Sequence, residues 1–114
     1  MRRPGSDPDH LAMTDILCDF CRREWTEERP MVEGHQGSCI CGPCLTTAYR
    51  ATVLDEAPAT PGSGARCALC LEDRADPMWD SPVEPGTRAC RRCVRQSAAV
   101  LQKDPDSRWR RPEP

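Results

Sequence analysis

The apolar residues of this chain are sparse and clustered, and the two clearest clusters carry a helical period. In "CLTTAYRATVLDE" the positions Leu45, Ala48, Tyr49 and Val53, and in "CVRQSAAVLQKD" the positions Val94, Ser97, Ala98 and Leu101, recur at i, i+3/4 and i+7/8. That spacing lines one face of a helix, so each run predicts a helix of about three turns. Upstream of each, "ILCDFC" and "ARCALC" predict a short strand ending in a tight knuckle turn. The chain between carries Gly34 and Gly37 in one case and Pro82, Pro85 and Gly86 in the other, which predicts a hairpin or irregular loop.

The order of elements occurs twice, and the cysteines show how regularly. Cys18, Cys21, Cys41 and Cys44 are followed, each 49 residues on, by Cys67, Cys70, Cys90 and Cys93, so both sets read C-x2-C-x19-C-x2-C with no insertion or deletion needed. Two equivalent modules are expected, over 15–55 and 66–104. Residues 56–65, "EAPATPGSGA", read as a flexible to semi-extended linker. The ends, 1–14 and 105–114, have the Pro-rich, charged composition of a disordered arm and a disordered tail.

Composition explains why so many cysteines are needed. One Phe, one Tyr and three Trp in 114 residues cannot bury enough apolar surface to offset the entropy of ordering the chain. Nine cysteines could compensate as disulfides or as metal ligands. The opening residues turn acidic and proline-rich without an apolar signal segment, and no run approaches the ~20 apolar residues of a membrane span. A cytoplasmic protein with reduced thiols is therefore expected, and no membrane association. Metal ligation becomes the leading reading.

A C-x2-C knuckle turns two sulfurs to one side, and a second pair completes the tetrahedron of four thiolates that zinc adopts at ~2.3 Å. Cys18, Cys21, Cys41 and Cys44 are the expected ligands of one Zn2+, and Cys67, Cys70, Cys90 and Cys93 of another; iron fits the same ligands. Four cysteines leave no open position for water, so both metals are expected to be structural and no enzyme activity is expected. "CGPC", residues 41–44, is also a redox dithiol spelling, but its counterpart Cys90-Arg91-Arg92-Cys93 keeps only the cysteines, which ligation explains and redox chemistry does not. Cys39 has Arg88 as its counterpart and reads as a half-buried spectator, with a replacement ligand or a reactive thiol as its other readings. His10 and His35 are expected to face solvent. Trp25 and Trp79 read equally well as partner anchors or as parts of a small core, and "RWRR", Arg108 to Arg111, as a solvated tail.

Charge does not single out a partner. Residues 1–56 hold 6 basic and 10 acidic side chains and residues 57–114 hold 10 and 8, a sum of −4 against +2. That balance lacks the strongly basic footprint of a general nucleic-acid binder.

"ILCDFCRRE", then Gly34, then "CICGPC" ahead of a helix, resembles the N-terminal zinc-binding domain of the ClpX unfoldase through Cys18, Phe20, Cys21, Gly34, Ile40, Cys41 and Cys44. The second module keeps the four cysteines but has Leu69 for the aromatic and Val83 at the glycine position counted by 49. The resemblance implies a small zinc-stabilised α+β fold of treble-clef type, and a domain that dimerises and captures substrates or adaptor proteins. No phosphate-binding loop or ATPase segment is present, so unfoldase activity does not follow. Two tandem modules predict an intramolecular pseudo-dimer, each covering the helix face a lone ~40-residue unit leaves exposed; pairing between two chains is the alternative. A ten-residue linker reaches roughly 33 Å, enough for either. The expected function is a noncatalytic zinc-binding protein-interaction module, an adaptor or unfolded-protein binder. The alternatives are a nucleic-acid-binding zinc finger using Arg88, Arg91, Arg92, Arg95 and the tail, and a thiol-redox or zinc-release sensor using Cys39 with the Cys41/Cys44 pair.

Overall fold

The computed structural model describes residues 1–7, 9–55, 66–73 and 75–114; the expected linker, 56–65, lies outside the described residues. Each half begins with a knuckle. Arg22 N–H donates to the Cys18 carbonyl at 2.9 Å and Cys18 N–H to the Arg23 carbonyl at 2.9 Å; the same bonds join Leu71 to Cys67 at 2.9 Å and Cys67 to Glu72 at 3.0 Å. Closing this turn puts Arg22 and Leu71 in the left-handed region, at φ 64° and 61°, a conformation that costs a non-glycine residue about 1–2 kcal/mol. The strand expected at "ILCDFC" and "ARCALC" does not form. The knuckle consumes the chain on both sides, leaving isolated bridges, Leu17 to Glu24 and Arg66 to Asp73, beside that of Ile16 to Arg2.

The hairpin expected between the cysteine pairs forms in both halves. β1 (Met31–Glu33) pairs antiparallel with β2 (Cys39–Cys41), Val32 opposite Ile40. β3 (Met78–Asp80) pairs with β4 (Arg88–Cys90), Trp79 opposite Ala89. Each hairpin runs directly into a helix, α1 (Gly42–Tyr49) and α2 (Arg91–Lys103). Of the positions expected to face inward, Leu45, Ala48 and Tyr49 are buried on α1 and Val94, Ser97, Ala98 and Leu101 on α2. Beyond Tyr49 the first helix widens into a π turn, Arg50–Leu54, closed by Asp55 N–H on the Arg50 carbonyl. The widening buries Thr52 completely and leaves Val53 half-buried; the Thr52 hydroxyl donates to the Ala48 carbonyl at 2.8 Å.

The uninterrupted 49-residue register conceals two compensating changes. Met31 opposes Cys41 as Met78 opposes Cys90, and Gly42 N–H bonds the Pro30 carbonyl as Arg91 N–H bonds that of Pro77. The first strands of the two hairpins are thus 47 residues apart while the second strands are 49 apart. The second half has a shorter run into its hairpin and a longer turn, 81–87 against 34–38. Gly34 N–H closes one turn on the Ser38 carbonyl and Ser81 N–H closes the other on that of Thr87. The structural counterpart of Gly34 is therefore Ser81, not Val83.

The halves pack against each other and share one core. α1 packs on α2, α2 on β1, and the π turn on β3. Phe20, Ile40, Leu45, Val94 and Ala89 are fully buried among Cys18, Cys41, Cys67 and Cys90. Trp79 is buried against Phe20, ring centroids 5.5 Å apart, which places it in the core; Trp25 is half-buried. At Gly34 the approach of the halves leaves no room for a side chain, because a Cβ there would lie 2.7 Å from the Leu69 carbonyl oxygen.

Both ends of the chain, expected from composition to be disordered, are placed against these halves. Arg2 bridges Ile16, and the amine of Met1 reaches the Leu17 carbonyl at 2.6 Å and Asp19 at 2.8 Å. After α2, the buried Ser107 hydroxyl donates to the Leu101 carbonyl at 2.5 Å and turns the chain back. Trp109 then lies on α1, its indole N–H shared between the Gly42 carbonyl at 3.2 Å and the Thr46 hydroxyl at 3.0 Å.

Candidate metal centres

The eight paired cysteines come together as two groups. The sulfurs of Cys18, Cys21, Cys41 and Cys44 all lie within 4.8 Å of one another, as do those of Cys67, Cys70, Cys90 and Cys93. In each group the knuckle supplies two, the end of the second strand a third, and the first turn of the following helix the fourth. Bonds of ~2.3 Å at tetrahedral angles set sulfurs about 3.8 Å apart, and Cys21 and Cys41 stand at 3.6 Å. A disulfide would require ~2.05 Å; all nine cysteines are free thiols.

Backbone amides stabilise negative charge at both groups. Phe20 and Cys41 N–H point at the Cys18 sulfur, each at 3.4 Å, and Leu69 and Cys90 N–H at the Cys67 sulfur, at 3.3 and 3.4 Å. The helix N-termini at Cys41/Cys44 and Cys90/Cys93 act in the same sense. Hydrogen bonds from the Cys41 and Cys44 thiols hold Cys18 down to about 2, while the bond to Cys18 pushes Cys41 up to about 12 and also raises Cys44. Cys67 is lowered by Cys90 and Cys93; Cys90 is pushed up to about 11, and Cys93 is raised, by their bonds to Cys67. In each group one sulfur, Cys18 or Cys67, thus gathers the hydrogen bonds that favour a thiolate. The groups fit two structural zinc ions, each of which would tie knuckle, hairpin and helix together and supply folding free energy to a small core.

Cys39 takes no part in the first group. Its side chain is buried, its thiol approaches the Gly37 carbonyl at 3.6 Å, and burial raises its pKa. Its backbone is tied to the knuckle: Cys39 N–H donates to the Asp19 carboxylate at 2.9 Å and Asp19 N–H to the Cys39 carbonyl at 3.0 Å. His10 and His35 are exposed and outside both groups. The glycine of "CGPC" has a packing reason, since a Cβ on Gly42 would meet the Trp109 ring at 3.2 Å. Pro43 sits in the first helical turn, where its missing N–H costs nothing.

Three of the arginines read from sequence as a nucleic-acid face, Arg88, Arg91 and Arg92, have partners within the chain. Arg88 pairs with Asp80 at 2.6 Å, Arg92 with Glu72 at 3.8 Å, and Arg91 donates to the Thr52 carbonyl at 2.5 Å. Sequence reasoning missed Asp19, Thr52, Ser81 and Trp109. Only Ser81 had a local signal, its place in the turn-forming run "DSPVEPG".

No helix among the described residues is long and apolar enough to cross a membrane. No curated protein and no solved structure matches the chain. Residues 16–52 match the sequence model of the family described as ClpX C4-type zinc finger, so the first four-cysteine unit is of that type, and the second group, over 67–93, points to its duplication.

Proposed function

We propose that the protein is a noncatalytic protein-interaction module, an adaptor or unfolded-protein binder, in which Cys18, Cys21, Cys41 and Cys44 ligate one zinc and Cys67, Cys70, Cys90 and Cys93 the other. The observation that carries this reading is the joining of two four-sulfur groups into one body. Each set of donors fills a zinc coordination shell, so the metal has no position left for a reacting molecule. What such a body offers is surface. The family match over residues 16–52 supports an interaction role, and the face-to-face halves supply within one chain a paired surface. The cytoplasm, where thiols stay reduced, suits eight thiolate ligands.

The test is binding of an unfolded polypeptide, reduced and carboxymethylated α-lactalbumin carrying a fluorophore, to the zinc-loaded chain by anisotropy. Saturable binding that native α-lactalbumin does not compete for is expected. No binding, together with no specific protein crosslinked in cells that express the chain, would sink the reading.

A further inference from the structure

The two halves are not equivalent where they meet. In one, Trp79 of β3 lies over Phe20 and fills the space between the first knuckle and the partner hairpin. In the other, the residues at the same places are Val32 of β1 and Leu69 of the second knuckle, both smaller. A cleft of about 320 Å³ opens there, floored by Val32, Leu69 and Ser97 and rimmed by Glu33, Gln96 and Val100. Val100 is 59% exposed, the most exposed large apolar side chain among the described residues. The volume is at the lower end of the ~300–1,000 Å³ of ligand sites, room for one large side chain with its own backbone.

The charge at the edge is also incomplete. Asp80 of the filled half pairs across its hairpin with Arg88 at 2.6 Å. Glu33 stands at the same register, but the residue opposite it is Cys39, which cannot provide a cation. Glu33 is exposed and makes no ion pair among the described residues. The nearby Arg92, one turn before Gln96 on α2, is directed to Glu72 at 3.8 Å.

We propose that this open cleft is a peptide-binding site for an extended segment of a partner protein bearing an aromatic side chain beside an arginine or lysine. The filled half is the template: what it holds internally, the indole of Trp79 and the guanidinium of Arg88, is what the open half lacks. The aromatic side chain enters between Leu69 and Val100, and the cation meets Glu33. Duplication followed by divergence has thus left one of two equivalent grooves closed by the chain itself and the other free, so one chain takes one peptide. This deepens the interaction role proposed above and rests on it.

The experiment uses the zinc-loaded full chain, 15N-labelled, titrated with the capped peptide acetyl-Gly-Arg-Trp-Arg-Gly-amide and followed by amide chemical shifts. Saturable shifts centred on Val32, Gly34, Leu69, Ser97 and Val100 are expected. Replacing the peptide's Trp by Ala should weaken binding at least tenfold, and replacing both Arg by Ser about threefold. Val32→Trp, which copies the filled half, and Val100→Glu, at an exposed position compatible with folding, should each weaken binding at least tenfold; Glu33→Gln should remove the advantage of the Arg peptide over the Ser peptide. No shifts at millimolar peptide, shifts centred on Gly42, Thr46 and Trp109 instead, or unchanged affinity in Val100→Glu would overturn the proposal. If the peptide gives no shifts yet the chain still binds unfolded α-lactalbumin, the partner uses another surface, and the cleft proposal fails while the interaction role stands.

Discussion

The hydroxyl of Ser81 donates to the main-chain carbonyl of Phe20 at 2.5 Å, across the boundary between the two halves. At the related place the N–H of His35 donates to the carbonyl of Leu69 at 2.8 Å. Phe20 and Leu69 hold the same position in their knuckles, so one carbonyl of each four-cysteine unit is read by the opposite hairpin. In the first hairpin Gly34 lets the backbone approach directly. In the second a serine spans the gap, its oxygen also accepting from Val83 N–H at 3.1 Å and Glu84 N–H at 3.0 Å.

Ser81→Ala removes all three bonds from a buried site and leaves the Phe20 carbonyl without its partner. A loss of about 1–3 kcal/mol is expected, measurable by denaturant unfolding of the zinc-loaded chain. An unchanged midpoint would show that the halves do not depend on this contact.

Gly34→Ala should be at least as damaging, since the added methyl would stand 2.7 Å from the Leu69 oxygen and 2.8 Å from the Ser38 hydroxyl. The halves must separate to admit it. A lower melting temperature with two metals retained is the expected pattern, because the methyl presses on the Leu69 main chain and the Ser38 hydroxyl rather than on a sulfur; loss of metal in step with stability would contradict it.

Trp109→Ala uncovers the start of α1 and leaves Gly42 without its neighbour. A destabilisation of about 1–3 kcal/mol without loss of zinc is expected, together with insensitivity of the zinc to mild oxidant in both proteins. Reversible ejection of metal from the Cys41/Cys44 pair by such treatment would instead support a redox role.

The pH dependence of metal binding follows from the thiols. Cys41 near 12, Cys90 near 11 and the raised Cys44 and Cys93 carry protons at neutral pH without metal. Zinc requires their thiolates. The bound state therefore holds fewer protons, and apparent affinity must rise with pH and fall as acid is added. Calorimetry in buffers of different ionisation enthalpy should show protons released on binding; a heat independent of buffer would refute this.

What could be read from the chain and what could not divide along physical lines. Ligand spacing is a local constraint, so the eight cysteines were legible, as were Leu45, Ala48, Val94 and Leu101, whose burial follows helical period. The hairpin between the cysteine pairs was legible from its glycines and prolines, but a strand was also expected before each knuckle, because a knuckle and a strand are both short mixed runs. The 47-residue offset between β1 and β3 was invisible because a shorter approach and a longer turn cancel between fixed cysteines. Trp109 and Thr52 were missed for a different reason: each meets a partner far along the chain, Trp109 at Gly42 and Thr52 at Arg91, and nothing beside it in the sequence signals that contact.

The most direct test of the account is metal content per chain by elemental analysis, measured together with mass in solution. Two zinc ions and the mass of a single 12.7 kDa chain are the predicted result. Fewer than two metals with free or disulfide-bonded thiols, or a mass of two chains, would contradict a zinc-closed pair formed within one molecule.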